Sequence, residues 1–234
     1  MTRRLKVLGI VLALIGLGFI VGGGVAYAKV QSGYDSLKAF SAEQNVELNY
    51  NDSGELADGE GSTEEATQIM ALLKDDWKYP VVESDLNPND PVVNTASEYM
   101  YQMATVSFHV LNGEQTVVLD EDVTADDGKV YKAGTYQFAP EGRYWSGYDR
   151  SNPIEAAARG QAWTGTAHGL IAELGVGTVT HSALQLGLAI SAILAGIGGT
   201  ILLAGLGLLW AVRAPKSVLL EAPAVERIPE PVKL

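Results

Sequence analysis

Two long apolar runs stand out from the pattern of hydrophobic and polar positions. Residues 184–210, LQLGLAISAILAGIGGTILLAGLGLLW, carry no charge and include thirteen Leu and Ile side chains. At about 1.5 Å per helical residue this run reaches about 40 Å, more than the roughly 30 Å hydrocarbon core of a bilayer. Each Leu or Ile favours insertion by about 0.3–0.6 kcal/mol near mid-membrane, which outweighs the Gly, Ser and Thr residues and the single Gln185. Residues 7–28, VLGIVLALIGLGFIVGGGVAYA, form a second uncharged stretch of 22 residues, again long enough to span. It can be an anchor or a signal peptide. Ala26-Tyr27-Ala28 has the A-x-A form of a cleavage site, but signal-peptide cores usually have about 7 to 15 apolar residues, so the length favours a retained anchor.

Between the runs the periodicity changes several times. Tyr34, Leu37 and Phe40 recur at threes, as in a first helix continuing beyond the bilayer, whereas Val46, Leu48 and Tyr50 alternate like a short strand. Ser62 with Glu65 has the form of a capping box, opening a helix to about Trp77 with Ile69, Leu73 and Trp77 on one face, and Pro80 stops any continuation. Asp90-Pro91 predicts the start of a helix running to Asn112, with Ala96, Tyr99, Met103, Val106 and Val110 on its apolar side. Residues 115–123 and 130–138 are β-rich and joined across Asp126-Asp127-Gly128, with a further turn at Lys132-Ala133-Gly134, which predicts a small hairpin or meander. An aromatic loop, Tyr144, Trp145 and Tyr148, leads to a second cap-plus-proline start at Asn152-Pro153. Trp163, Ala167, Leu170, Ile171 and Leu174 then form a stripe expected near the outer headgroups, with Gly175 and Gly177 permitting a change of direction into the membrane.

Charge orients this layout. Arg3, Arg4, Lys6, Arg213 and Lys216 flank the runs on one side and only Lys29 lies close on the other, so both termini are expected in the cytoplasm. The chain is −12 overall, yet residues 30–182 hold 25 acidic against 8 basic side chains, a net −17. Such a domain repels nucleic acid and anionic headgroups. With no cysteine, disulfides, thiolate chemistry and Cys-ligated clusters are excluded. The expected fold class is therefore a membrane protein with two transmembrane α-helices flanking one extracytoplasmic α+β domain. Its parts are a cytoplasmic N-terminus at 1–6, spans at 7–28 and 183–212, an acidic domain at 29–182, and a Pro-rich cytoplasmic tail at 213–234.

Candidate chemistry is sparse. The three histidines, His109, His168 and His181, fall on separate segments, whereas a non-haem iron site wants two histidines and a carboxylate converging. Asp120, Asp122, Asp126 and Asp127 offer oxygens of the kind Ca²⁺ accepts but lack the order of an EF-hand loop, so a solvated hairpin tip is the leading reading. No G-x-S-x-G elbow lies outside the runs, and no catalytic residue or cofactor is assigned. The aromatic loop can be a binding platform or a core edge. Small residues recur at fours in both runs, Gly18, Gly22 and Ala26 in the first and Gly187, Ser191, Ala195 and Gly199 in the second. Such stripes let helices approach closely, on each other or on another subunit, although glycine is also simply common in membrane helices.

This layout of N-terminal anchor, acidic segment containing DPVVNTAS at residues 90–97, and Gly/Ala-rich second span followed by a basic residue resembles small two-span actinobacterial membrane proteins. Members of that group occur as accessory subunits of the cytochrome bcc–aa3 respiratory supercomplex. The resemblance covers the spans and residues 30–110, and the segment 115–148 is an addition to the shorter family pattern. Related sequences are sometimes labelled aromatic ring-opening dioxygenases, a label to which the scattered histidines lend no support. The resemblance implies a non-catalytic accessory subunit in a bacterial cell membrane, partnered by other integral membrane subunits. The alternative is an extracytoplasmic ligand- or Ca²⁺-binding or sensing domain on a double anchor.

Overall fold

The computed structural model describes residues 2–59 and 61–213, so the Pro-rich tail lies outside the described residues. The described chain divides into two compact units, one made of residues 2–25 and 190–213 and the other of Ala26–Ala189. Two long helices contribute to both: α1, Thr2–Gln44, and α5, Gly165–Arg213. Each is long and apolar enough to cross a membrane.

In the first unit, α1 and α5 run antiparallel along a seam of small residues. A Cβ added at Gly16 would lie 2.5 Å from the Leu202 nitrogen and 2.6 Å from the Gly198 carbonyl oxygen, and one at Gly205 would lie 2.6 Å from the Ala13 nitrogen. At Gly23 it would meet the Ser191 carbonyl oxygen at 2.9 Å, and at Gly9 the Gly205 carbonyl oxygen at 2.9 Å. Backbone touches backbone here, which only glycine allows. The seam therefore repeats at sevens, Gly9, Gly16 and Gly23 facing Ser191, Gly198 and Gly205. Of the stripes spaced at fours, Ser191 and Ala195 lie on this seam and Gly187, in the second unit, faces Val30 of α1, where an added Cβ would come within 2.8 Å of its side chain, but Gly18, Gly22 and Gly199 have nothing within 4 Å. The reason is geometric: a seven-residue step drifts by only about 20° around a straight helix. Each four-residue step rotates by about 40° at 3.6 residues per turn, so a stripe built on such steps leaves the contact line after a few of them, as at Gly199.

The second unit is the α+β domain. α2, Thr63–Ala71, opens on Ser62, whose hydroxyl accepts from the Glu65 amide, and widens into one π turn over Leu72–Asp76 before Trp77. α3, Ala96–Asn112, begins five residues after the expected Pro91, because a reciprocal capping box between Thr95 and Glu98 fixes its start. Residues 91–93 are instead extended: the Leu48 amide donates to the Pro91 carbonyl at 2.8 Å and the Val93 amide to the Val46 carbonyl at 2.9 Å. The alternation at 46–50 thus makes isolated bridges, Glu47 with Val92 and Tyr50 with Leu56, in place of a strand in a ladder.

The hairpin is two short ladders. β1, Gln115–Leu119, pairs antiparallel with β4, Gly134–Phe138, and β2, Val123–Thr124, pairs with β3, Val130–Tyr131. Asp122 closes the break between them, accepting from the Ala133 amide at 2.9 Å and the Lys132 ammonium at 2.7 Å. α4, Pro153–Ala162, capped by Asn152, packs on β1 and β4, and Leu111, Val117, Tyr148, Ala158 and Trp163 form the core beneath. A second core gathers Leu48, Ile69, Leu73, Val93, Tyr99, Tyr101 and Leu174 around α3. α5 passes through Gly175 and Gly177 without a break, so the expected change of direction does not occur there. Trp163, expected at an interface, is buried at the end of α4.

Candidate functional site

The largely apolar cleft of the second unit, of about 480 Å³, lies between α1, α3 and α5. Leu37 and Phe40 line it from α1, Tyr99 and Val106 from α3, and Leu170, Leu174 and Val176 from α5. Tyr99 ties the three walls together. Its hydroxyl lies 2.7 Å from the Ser41 hydroxyl of α1, a buried bond, and its ring lies against Gly177 of α5, where an added Cβ would come within 2.6 Å of ring carbons. The role of Gly177 is thus close approach, with no bend in the helix. A glycine one turn after Leu174, on the inward face of an amphipathic helix, was the available signal for a bulky ring opposite.

The polar residues of the cleft include Gln44, Gln102, Thr180 and a single carboxylate, Glu173. Beside it on α5, His181 is buried, with its ring edge-on to Tyr34 at 5.6 Å and its Nδ1 without a protein partner. Desolvation lowers its pKa from the ordinary imidazole value, with Asp85 pulling it back up and Lys38 pushing it down, so it is neutral near pH 7. His181 is thus packed into the fold.

The other histidines go elsewhere. His109 Nε2 lies 2.8 Å from the buried Asp58 Oδ2, an ion-pair distance whose angles do not form a hydrogen bond, which leaves that oxygen unbonded. His168 packs edge-on to Trp145 at 5.1 Å. Among the described residues, no three His, Asp or Glu side chains gather to hold a metal ion. The acidic hairpin is likewise dispersed, with Asp122 engaged by Lys132 and Asp127 accepting from the Lys129 amide, and Asp120 and Asp126 not brought to them as a ligand set.

The aromatic loop is built mainly into the fold. Tyr148 is buried beside Phe138, Tyr144 accepts from the Trp77 indole at 2.9 Å, and the Arg159 guanidinium sits 3.1 Å over the Trp145 ring. Three phenols inside the domain, Tyr50, Tyr101 and Tyr148, have buried hydroxyls without protein partners. Burial, reinforced by Glu98, pushes Tyr50 up to about 12 and burial also raises Tyr101, so both stay protonated at neutral pH. Sequence alternation placed Tyr50 in an extended segment, but it did not single out Tyr101 or indicate that these hydroxyls would be orphaned.

Comparison with known proteins adds no family to this geometry: no family model matches the chain, and no curated protein or solved structure does so.

Proposed function

We propose that the chain is a two-pass protein of a bacterial cell membrane, with both termini in the cytoplasm, that serves as a non-catalytic accessory subunit of a larger membrane complex. The observation that carries this reading is the pair of long apolar helices, whose mutual seam uses only one face of each. Gly18, Gly22 and Gly199 lie off that face with open space around them, where a neighbouring subunit's helix can approach backbone to backbone. A bilayer offers little hydrophobic drive between helices, so close packing of small residues is the main source of such association. The layout also resembles that of accessory subunits of the cytochrome bcc–aa3 supercomplex, which makes a respiratory assembly the first partner to test. Purification in mild detergent through a C-terminal tag, followed by mass spectrometry, is expected to recover stoichiometric membrane subunits. Recovery of a lone monomer would overturn the proposal.

The second reading, a ligand-binding outer domain, is favoured by the cleft around Tyr99 and not by the acidic hairpin. A ligand that binds only the folded state raises its stability by mass action, so a thermal-shift series separates these two locations. Ca²⁺ is expected to leave the melting temperature unchanged. A Ca²⁺-dependent rise would point back to the hairpin.

A further inference from the structure

We propose that the cleft between α1, α3 and α5 holds one hydrocarbon chain of a membrane lipid whose head group has no net negative charge. This rests on the two-span reading above. At about 480 Å³ the cleft falls within the range of roughly 300–1,000 Å³ typical of small-ligand sites. A partner helix about 10–12 Å across would occupy such a volume with about one turn, too little to dock, whereas a single extended chain can fill it.

The cleft is also joined to the apolar run by an exposed apolar strip. Val176, Val179, Ala183 and Leu186 are spaced by three, four and three residues, which places them on one side of α5. Val176, Val179 and Leu186 are 66%, 68% and 62% exposed, and Ala183 is exposed as well. The strip leads from a cleft wall into the run at 184–210, so a chain leaving the outer leaflet would stay on apolar surface throughout. Phe40 and Leu170, at 49% and 43% exposed, are large apolar side chains at the cleft that lack full cover. Charge narrows the occupant further. The lining supplies no cation, its one carboxylate is Glu173, and the surrounding domain is strongly acidic, so an anionic head group is repelled while Gln44, Gln102 and Thr180 can meet a zwitterionic or neutral one.

The test uses the full chain in nanodiscs of phosphatidylcholine carrying a diazirine near the end of one acyl chain, with photolysis and peptide mapping by mass spectrometry. In a bilayer that group lies near the midplane, so adducts in residues 37–46 and 170–180 report a chain drawn into the cleft. They are expected alongside adducts in both spans, and Val106→Trp or, independently, Leu170→Trp is expected to lower the cleft adducts several-fold while leaving the span adducts unchanged. Labelled spans with an unlabelled cleft would overturn the proposal and leave the two-span reading standing. Unlabelled spans would overturn both. Equal cleft labelling from phosphatidylglycerol would overturn the head-group selection.

Discussion

At Gly177 the helix gives up about 1 kcal/mol of propensity relative to alanine so that the Tyr99 ring can lie against its backbone. Gly177→Ala would place a methyl group 2.6 Å from that ring and is expected to cost about 1–3 kcal/mol through overpacking. Gly175→Ala is the control, because its nearest neighbour is the Met103 sulfur at 4.0 Å, and it is expected to be neutral or to stabilise by up to about 1 kcal/mol. Thermal unfolding in detergent distinguishes the pair, and equal effects would contradict the contact. Glu98 is the other residue with a distinct role, since its buried carboxylate accepts from the Asn94 amide at 2.9 Å and the Thr95 amide at 2.8 Å. Burial raises its pKa and these bonds oppose the rise without cancelling it. The folded state therefore holds this proton more tightly than the unfolded chain does. Stability falls as pH rises from the ordinary carboxylate range near 4.5 up to the folded value, and is level above it. Glu98→Gln keeps an acceptor and should remove that slope, read as the wild-type minus variant difference across pH. Glu98→Ala leaves two amides unpaired and is expected to cost about 1–3 kcal/mol near pH 7.

Among the elements, the seam between α1 and α5 is the most exacting, since a methyl group at Gly16 would collide with backbone that has no other place to go. The chain lacks cysteine, so introduced pairs report on the seam without background. Gly9→Cys with Gly205→Cys, and Gly16→Cys with Gly198→Cys, are expected to form disulfides on mild oxidation of isolated membranes. Gly18→Cys with Gly199→Cys should not, and the reverse pattern would contradict the register. The apolar runs, the Ser62 and Asn152-Pro153 helix starts and the β-rich segments were legible in the sequence, because each rests on local periodicity or a local cap. The contact line was not: small residues at fours and at sevens coexist in both runs, and only the partner helix selects between them. Asp90-Pro91 likewise reads as a helix start in isolation, but pairing of 91–93 with 46–48 competes with it, and the Thr95–Glu98 box wins. The cleft was hidden for the same reason, since its walls come from three segments far apart in the chain, around residues 37–46, 93–106 and 170–180.

On the scale of the whole molecule, the charges and the helices call for the same threading. Residues 30–182, at net −17, are repelled by anionic headgroups, while the basic residues at 3, 4, 6, 213 and 216 favour retention on the cytoplasmic side. The proposed hairpin of two spans, with both ends inside, satisfies both preferences. Labelling of single-cysteine variants with a membrane-impermeant maleimide on intact cells tests this threading most directly. Asp127→Cys in the hairpin should react on intact cells, and Thr2→Cys only after permeabilisation. Reaction of Thr2→Cys on intact cells, or a mature chain that has lost residue 2 altogether, would contradict the account.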